Sequence, residues 1–507
     1  MDIKSTTGKL LKGDISGVVS DVKDTIERSL GLVGLIIVTV AASIGSGLFV
    51  LPSFAAAIMG PGIWLAFLLA GLVFLPGTLS KSELASAMPD NGGAYLYLDR
   101  SFGHLIGTIG GLGLWASFLL KSAFALIGFS AYMYAVTEYL DVSANSTVLI
   151  MLALVLITFL NILGIKKVKA FQTPILGLTV ALILVVCIIQ LFDASFDISR
   201  PIDGAFDVTK SDPGLVAEAA ALVFVAYAGI YKAGAIGGEV KKPEKNLHYG
   251  MIISLLVITA FYVIVSIIMM ASVEGEWWLK DGAPREDPIF AFFDAVASTR
   301  VGIALALLAV LTMISGALSG LLAASRFLFA MAKDKLLPDS LSETNNKFET
   351  PHWAIILTAV TMAVSILTLP VKDVAKLASG FQIMVIVALN VSVIVLRREN
   401  NGTDWYQPTF KSPLYPFVQI FGTIAGAYLV IIMGSKAIIG AVAAVIIGVS
   451  TYYIYGKKNF APVHSETVEE NASSSESTAT TIINVQNISI NDSVVTDTVI
   501  TNSSGEE

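Results

Sequence analysis

Apolar residues fall in blocks of about 20 along this chain, separated by short polar stretches, and that length is what a helix needs to cross a bilayer. Twelve blocks are readable, near 31–58, 62–88, 105–137, 146–164, 169–192, 214–238, 247–272, 301–331, 352–370, 373–396, 413–433 and 436–456. They predict an all-α polytopic membrane protein. Residues 1–30 are polar and mixed in charge and read as an N-terminal segment without a cleavable signal peptide, since the first apolar block is itself long enough to span. From 457 the composition turns to Ser, Thr, Asn and Glu, which predicts a disordered acidic tail to residue 507. The 273–299 connector is long and carries Trp277, Trp278 and an apolar patch, Ile289 to Phe293. It is expected to fold over one face as a short helix, a lid.

The first block is interrupted. Within it, Val40 to Pro52 reads VAASIGSGLFVLP, with Gly45 and Gly47 on either side of Ser46. Backbone that leaves helical geometry inside a membrane strands N–H and C=O groups, and survives where it lines a cavity or binds something. The second half-helix would then offer N–H groups to an anion, and the carbonyls ending the first would face a cation, so a small zwitterion suits both. The competing reading is a close helix–helix contact through small residues. The sixth block is similar. It reads LVFVAYAGIYKAGAIGGEVKKPEKN from Leu222 to Asn246, with small residues crowding its middle. Glycine-interrupted helices at corresponding places in two halves point to a midplane transporter site, and five spans per half place the second half in inverted topology.

Composition agrees: 55% of residues are hydrophobic, 14% are charged, and mean hydropathy is +0.76. The net charge of −7 comes from the tail, where eight acids and no Lys or Arg follow Lys458. It therefore describes the tail rather than a surface for nucleic acid or any other charged partner. Lys and Arg concentrate in one set of connectors (Lys166, Lys167 and Lys169; Lys241, Lys242 and Lys245; Arg397 and Arg398), which places both termini in the cytoplasm. The sequons at Asn471, Asn487, Asn491 and Asn502 then lie on a cytoplasmic tail and are accidents of composition. A single cysteine, Cys187, excludes an intrachain disulfide, and the four histidines show no metal-ligand spacing. No Walker-type loop, metal cluster or intramembrane Ser/His/Asp array supports an enzyme or an ATP-driven pump.

Polar residues inside the blocks are the remaining signal. Lys121 lies at the centre of the third, where a charge costs ~3 kcal/mol or more unless it meets water or a partner. It is expected to face a cavity as a substrate-carboxylate or proton-coupling group. Neighbouring Ser122 points elsewhere on the helix, so one of the two is expected beside the substrate. Glu218, early in the sixth block, is an acidic candidate or an interfacial residue. Thr312, Ser315 and Ser319 share one helical face, suited to a sodium ion or to an ordinary interhelical contact. Gln382 and Asn390 read as packing residues.

Several stretches resemble the amino acid–polyamine–organocation (APC) superfamily. They are IGSGLFVLP from Ile44, SELASAMPDNGGAYLYLDRSFG from Ser82, FVAYAGIYKAGAIGGEVKKPEKN from Phe224, SRFLFAMAKDKLLP from Ser325 and FKSPLYP from Phe410. The likeness covers about 30–456. It implies a LeuT-like fold of two inverted five-helix repeats (about 31–192 and 214–396) with two extra helices (413–456). It also implies transport of amino acids or related amines across the plasma membrane. By resemblance, backbone at Ser43, Ile44, Gly45, Ser46 and Gly47 holds the substrate carboxylate, and carbonyls near Phe224, Val225, Ala226 and Ala228 take its ammonium. The family's gate aromatic stands where this chain has Val225, beside Phe224. Tyr231 replaces a common glutamate, which argues against a cationic substrate. Glu239 matches an acidic inner-gate residue. The fifth-helix lysine of proton-coupled members corresponds to Thr179, so the coupling ion, proton or sodium, stays open, and no other cofactor is expected. An amino acid permease is the leading reading. An exchanger, a polyamine or amine carrier, and a transport-derived nutrient sensor are the alternatives.

Overall fold

The computed structural model describes residues 30–459, apart from 89–92, 144, 165–167, 236–239, 346, 349 and 400–405. The N-terminal segment, nearly all of the acidic tail, and Glu239 lie outside the described residues. The chain begins with α1 (Leu32–Ser43), α2 (Ser46–Phe49), α3 (Leu51–Met59), α4 (Ile63–Ala87), α5 (Ala94–Phe102) and α6 (His104–Tyr139). It continues through α7 (Ser146–Ile162), α8 (Val168–Gln190), α9 (Ser199–Ser211) and α10 (Pro213–Val223). A 3-10 stretch, Phe224–Ala228, joins α10 to α11 (Gly229–Ala235), and α12 (Pro243–Ser272) follows. The lid holds β1 (Leu279–Lys280), β2 (Ala283–Pro284) and α13 (Pro288–Val296). Then come α14 (Thr299–Lys333), α15 (His352–Thr368), α16 (Val371–Glu399), α17 (Phe417–Ile432) and α18 (Ser435–Thr451).

Each predicted apolar block holds helix, and seven helices among the described residues are long and apolar enough to cross a membrane. Three features were not predicted. The connectors hold α5 and α9, whose apolar patterns are too short to separate from a loop. The lid adds an antiparallel hairpin with register Leu279↔Pro284 and Lys280↔Ala283. Its turn is Asp281-Gly282, with φ of +52° and +77°, the doubly positive geometry that suits the twist of a two-residue hairpin.

Local signals set several boundaries. The Asn145 side chain accepts the Val148 N–H at 3.2 Å at the start of α7, and Asp212 accepts that of Gly214 at 2.8 Å before α10. Pro213 occupies the first turn of α10, where its missing N–H costs nothing.

The long α6 and α14 lie side by side through small residues. A side chain at Gly128 would press on Met313 Sδ at 2.9 Å, and one at Gly320 on the Ser122 hydroxyl. The short α2 packs against α6. Toward the far ends of α4 and α16, Glu83 is fully buried. Its carboxylate accepts Arg397 Nε at 2.7 Å and Nη2 at 2.6 Å, the Tyr406 hydroxyl at 2.7 Å and the Ser412 N–H at 2.7 Å. A buried carboxylate is tolerable when it is paired and bonded in this way.

Candidate functional site at the first interrupted helix

α1 ends where Ile44 turns to extended geometry (φ −72°, ψ 107°). The next turn starts at Gly45, whose carbonyl accepts both Leu48 N and Phe49 N at 3.0 Å. Three carbonyls near the end of α1 have partners. That of Val40 accepts Ile44 N at 2.9 Å, that of Ala42 accepts Lys121 Nζ at 3.0 Å, and that of Ser43 accepts the Tyr262 hydroxyl at 2.8 Å. Two of the three come from other helices, α6 and α12, so the break is held from both sides.

Over its described residues, Pro213 to Ala235, the sixth block stays helical instead of unwinding. Phe224–Ala228 tightens into 3-10 geometry and stays continuous with its flanking helices. Ser379 of α16 holds it, accepting Val225 N at 3.1 Å and donating to the Leu222 carbonyl at 3.0 Å. The two segments touch. A Cβ at Gly47 would lie 2.7 Å from Ala226 Cβ and 2.9 Å from its Cα, and one at Gly229 would strike Ser43 and the backbone at Ala42. The first motif therefore holds both a break and a close contact, at different residues: Ile44 and Gly45 make the break, and Gly47 makes the close contact. Gly45 needs no glycine for its backbone, since φ is −175°.

A small cavity of about 30 Å³, room for no more than a few waters, sits beside this break. It brings together Ile44, Gly45 and Ser46 from the break, Lys121 and Ser122 from α6, Ser319 from α14 and Lys232 from α11. Lys121 and Ser122 both reach the wall, where one of them was expected, because the cavity wraps around α6 at that turn. The Ser122 hydroxyl is itself bonded to the Phe118 carbonyl at 2.8 Å. Among the described residues the lining contains two lysines and no acid.

The other candidates lie off this wall. The Ser43 hydroxyl donates to the Thr39 carbonyl at 3.1 Å. Phe224 is buried, its ring 5.0 Å from that of Phe74 in α4, so it turns away from the cavity, and Val225, Ala226 and Ala228 do not line it either. Tyr231 packs against α4, where Lys81 Nζ donates to its carbonyl at 2.6 Å and lies 3.9 Å from its ring centre. Glu218 pairs with Lys376 at 2.9 Å. Thr179 and Thr312 approach each other at 3.3 Å, and Thr312 also donates to the Leu308 carbonyl at 2.8 Å. Ser315 is buried without a hydrogen bond among the described residues. Of the three hydroxyls on α14, Ser319 is the one at the cavity, donating to the Gly316 carbonyl at 3.1 Å.

Sequence reading passed over Lys81, Lys232 and Tyr262. Lys232 sits inside a quoted motif and was detectable as a charge within an apolar block. Lys81 lies near a predicted helix end, where a lysine looks solvated. An aromatic such as Tyr262 carries no signal within an apolar run.

The profile of the amino acid permease family matches residues 30–455. The branched-chain amino acid permease BcaP of Bacillus subtilis is 29% identical over 451 residues, covering 86% of this chain and 94% of that protein. The serine/threonine exchanger SteT of the same organism is 28% identical over 442 residues, covering 85% and 96%. Its methylthioribose transporter is 24% identical over 450 residues, covering 86% and 95%. With the profile spanning nearly all the apolar blocks, the chain belongs to the amino acid permease family of the APC superfamily and is a membrane transporter rather than an enzyme.

Proposed function

We propose that this permease moves a neutral amino acid across the plasma membrane by alternating access, and that a proton carried by Lys121 drives it. One observation carries the reading: the Lys121 ammonium grips the Ala42 carbonyl at the break, in the wall of the cavity that also holds Gly45, Ser46 and Ser319. The absence of any acid from the described lining favours a neutral substrate over an amine or a polyamine. The names of two relatives, a branched-chain amino acid permease and a serine/threonine exchanger, agree with that class.

In this reading α1–α8 and α10–α16 are two inverted five-helix repeats, α17 and α18 are additions, and both termini face the cytoplasm. Substrate binds between the α1–α2 break and the 3-10 stretch after the bundle opens, since the closed cavity is too small for an amino acid. A charged ammonium holds a carbonyl more firmly than a neutral amine does. Loss of the Lys121 proton on one side therefore loosens α1 and allows that side to open. A lysine contributed by α6 does the work for which Thr179 has no charge.

The test is uptake by purified protein in liposomes, offered radiolabelled leucine, serine, lysine and spermidine under imposed proton or sodium gradients. Accumulation of leucine or serine driven by protons, lost in Lys121→Ala, is the expected result. Sodium-driven accumulation overturns the coupling, movement only against internal substrate makes the protein an exchanger, and preference for lysine or spermidine overturns the substrate class.

A further inference from the structure

A second cavity, of about 610 Å³, lies away from the central site, between the lid and the ends of α6, α7, α15 and α16. Its volume is within the range of small-molecule pockets. One side is apolar, with Ile366, Leu367 and Leu369 from the α15–α16 connection. The other is charged. Lys280 and Arg285 stand against three carboxylates, those of Asp281, Glu286 and Asp287.

These charges are not equally available. Arg285 is committed to Asp287 through two bonds, Nε to Oδ1 at 3.0 Å and Nη2 to Oδ2 at 3.1 Å. Lys280 is exposed, with Nζ 5.8 Å from the centre of the Tyr134 ring. Glu286 is partly buried and has no hydrogen bond or ion pair among the described residues. The lining is thus one negative charge in excess, and two of its carboxylates, the exposed Asp281 and the partly buried Glu286, carry no hydrogen bond or ion pair among the described residues, Glu286 being the one sheltered in a pocket with room for a ligand.

We infer that this lid cavity is a binding site for a small primary ammonium, with Glu286 as its counter-ion and the apolar wall receiving the ligand's carbon skeleton. A divalent cation fits less well, because Asp287 already serves Arg285. Burial, and then the neighbouring charge of Asp287, push the Glu286 carboxyl up to about 7. The other charged groups that face it are the Arg285–Asp287 pair, Asp281 and Lys280 from the lid. Tyr134 is the titratable group that α6 adds to this wall, and the α15–α16 connection adds none. Glu286 is therefore mostly charged at pH 8 and mostly neutral at pH 6, so affinity for a cation falls as the medium acidifies. The lid is held to the bundle independently of Glu286, since Tyr132 accepts the Ile289 N–H at 3.2 Å and donates to the Phe49 carbonyl at 2.8 Å.

The same ammonium chemistry is offered by a free amine and by a phosphatidylethanolamine headgroup. The experiment is calorimetric titration of ethanolamine into the full-length protein in phosphatidylcholine nanodiscs. Saturable binding at pH 8, weakened about tenfold at pH 6, is expected from a carboxyl that titrates near 7. Glu286→Gln should lose both the binding and its pH dependence. Lys280→Ala should bind more tightly, an opposite change that misfolding does not produce. In nanodiscs containing phosphatidylethanolamine, weaker ethanolamine binding identifies the lipid headgroup as a competing occupant, and unchanged binding identifies a free amine. No saturable binding at pH 8, or Glu286→Gln binding with the wild-type pH dependence, overturns the proposal. None of these readouts depends on transport.

Discussion

Glu83 and Lys121 are both ionisable groups inside an apolar bundle, and the structure surrounds them in opposite ways. Glu83 is saturated, with four bonds from Arg397, Tyr406 and Ser412. Lys121 has one bond, to the Ala42 carbonyl, and a cavity beside it. A saturated buried charge fixes one arrangement, because any movement leaves it unpaired in a low-dielectric interior. A charge with one neutral partner and open space is free to exchange that partner for a ligand or to lose its proton. The first pattern is a structural joint between α4, α16 and the start of α17, and the second belongs to a working site.

The sharpest way to break this contrast is to cut each group. Glu83→Ala strands Arg397 and should cost ~3–5 kcal/mol, read as collapse of the thermal transition in detergent. A stable, well-expressed Glu83→Ala would remove the joint. Lys121→Ala loses one charge-assisted bond to a carbonyl, worth ~1.5–3 kcal/mol, so the protein should still fold. Its defect should lie in proton-driven accumulation, while unlabelled substrate inside the liposome still draws labelled substrate in.

The glycines extend the contrast to the backbone. Gly229→Ala and Gly47→Ala force a methyl group into neighbouring backbone and should each cost ~1–3 kcal/mol. Gly45→Ala meets open space in an extended conformation, and its melting temperature should stay within a degree or two of wild type. Equal losses at all three would mean that the break itself demands glycine.

The smallest expected effect is at the lid. Glu286 binds its proton more tightly in the folded protein than in the free chain, so the folded state holds more protons between about 4.5 and 7. Stability of the lid therefore falls as pH rises through that window. Amide protection factors over 279–296, with the intrinsic pH dependence of exchange divided out, should be higher at pH 6 than at pH 8, and that difference should vanish in Glu286→Gln.

Much of this was legible in the chain. Twelve apolar blocks became helices because span length and hydropathy are properties of contiguous residues. Lys121 was readable as a cavity group because a charge in the middle of an apolar block must meet water or a partner to be tolerated there. The first break was placed to within two residues, and the family followed from contiguous motifs. What was not legible depended on partners distant in sequence. The 3-10 tightening at Phe224–Ala228 is held by Ser379, 154 residues from Val225. That the Phe224 ring packs on Phe74, and that Thr312 meets Thr179 of α8 while Ser319 reaches the cavity, was likewise set by distant residues.

The sequence by itself determined the solvent of this protein, the number of its apolar segments and the place where the first of them gives way, since each follows from composition and local backbone cost. Only the tertiary structure decided which charge would be saturated and which left open. That outcome depends on whether a carboxylate, a carbonyl or empty space comes to lie within about 3 Å, and hydropathy places a side chain in the membrane without saying what it will meet there.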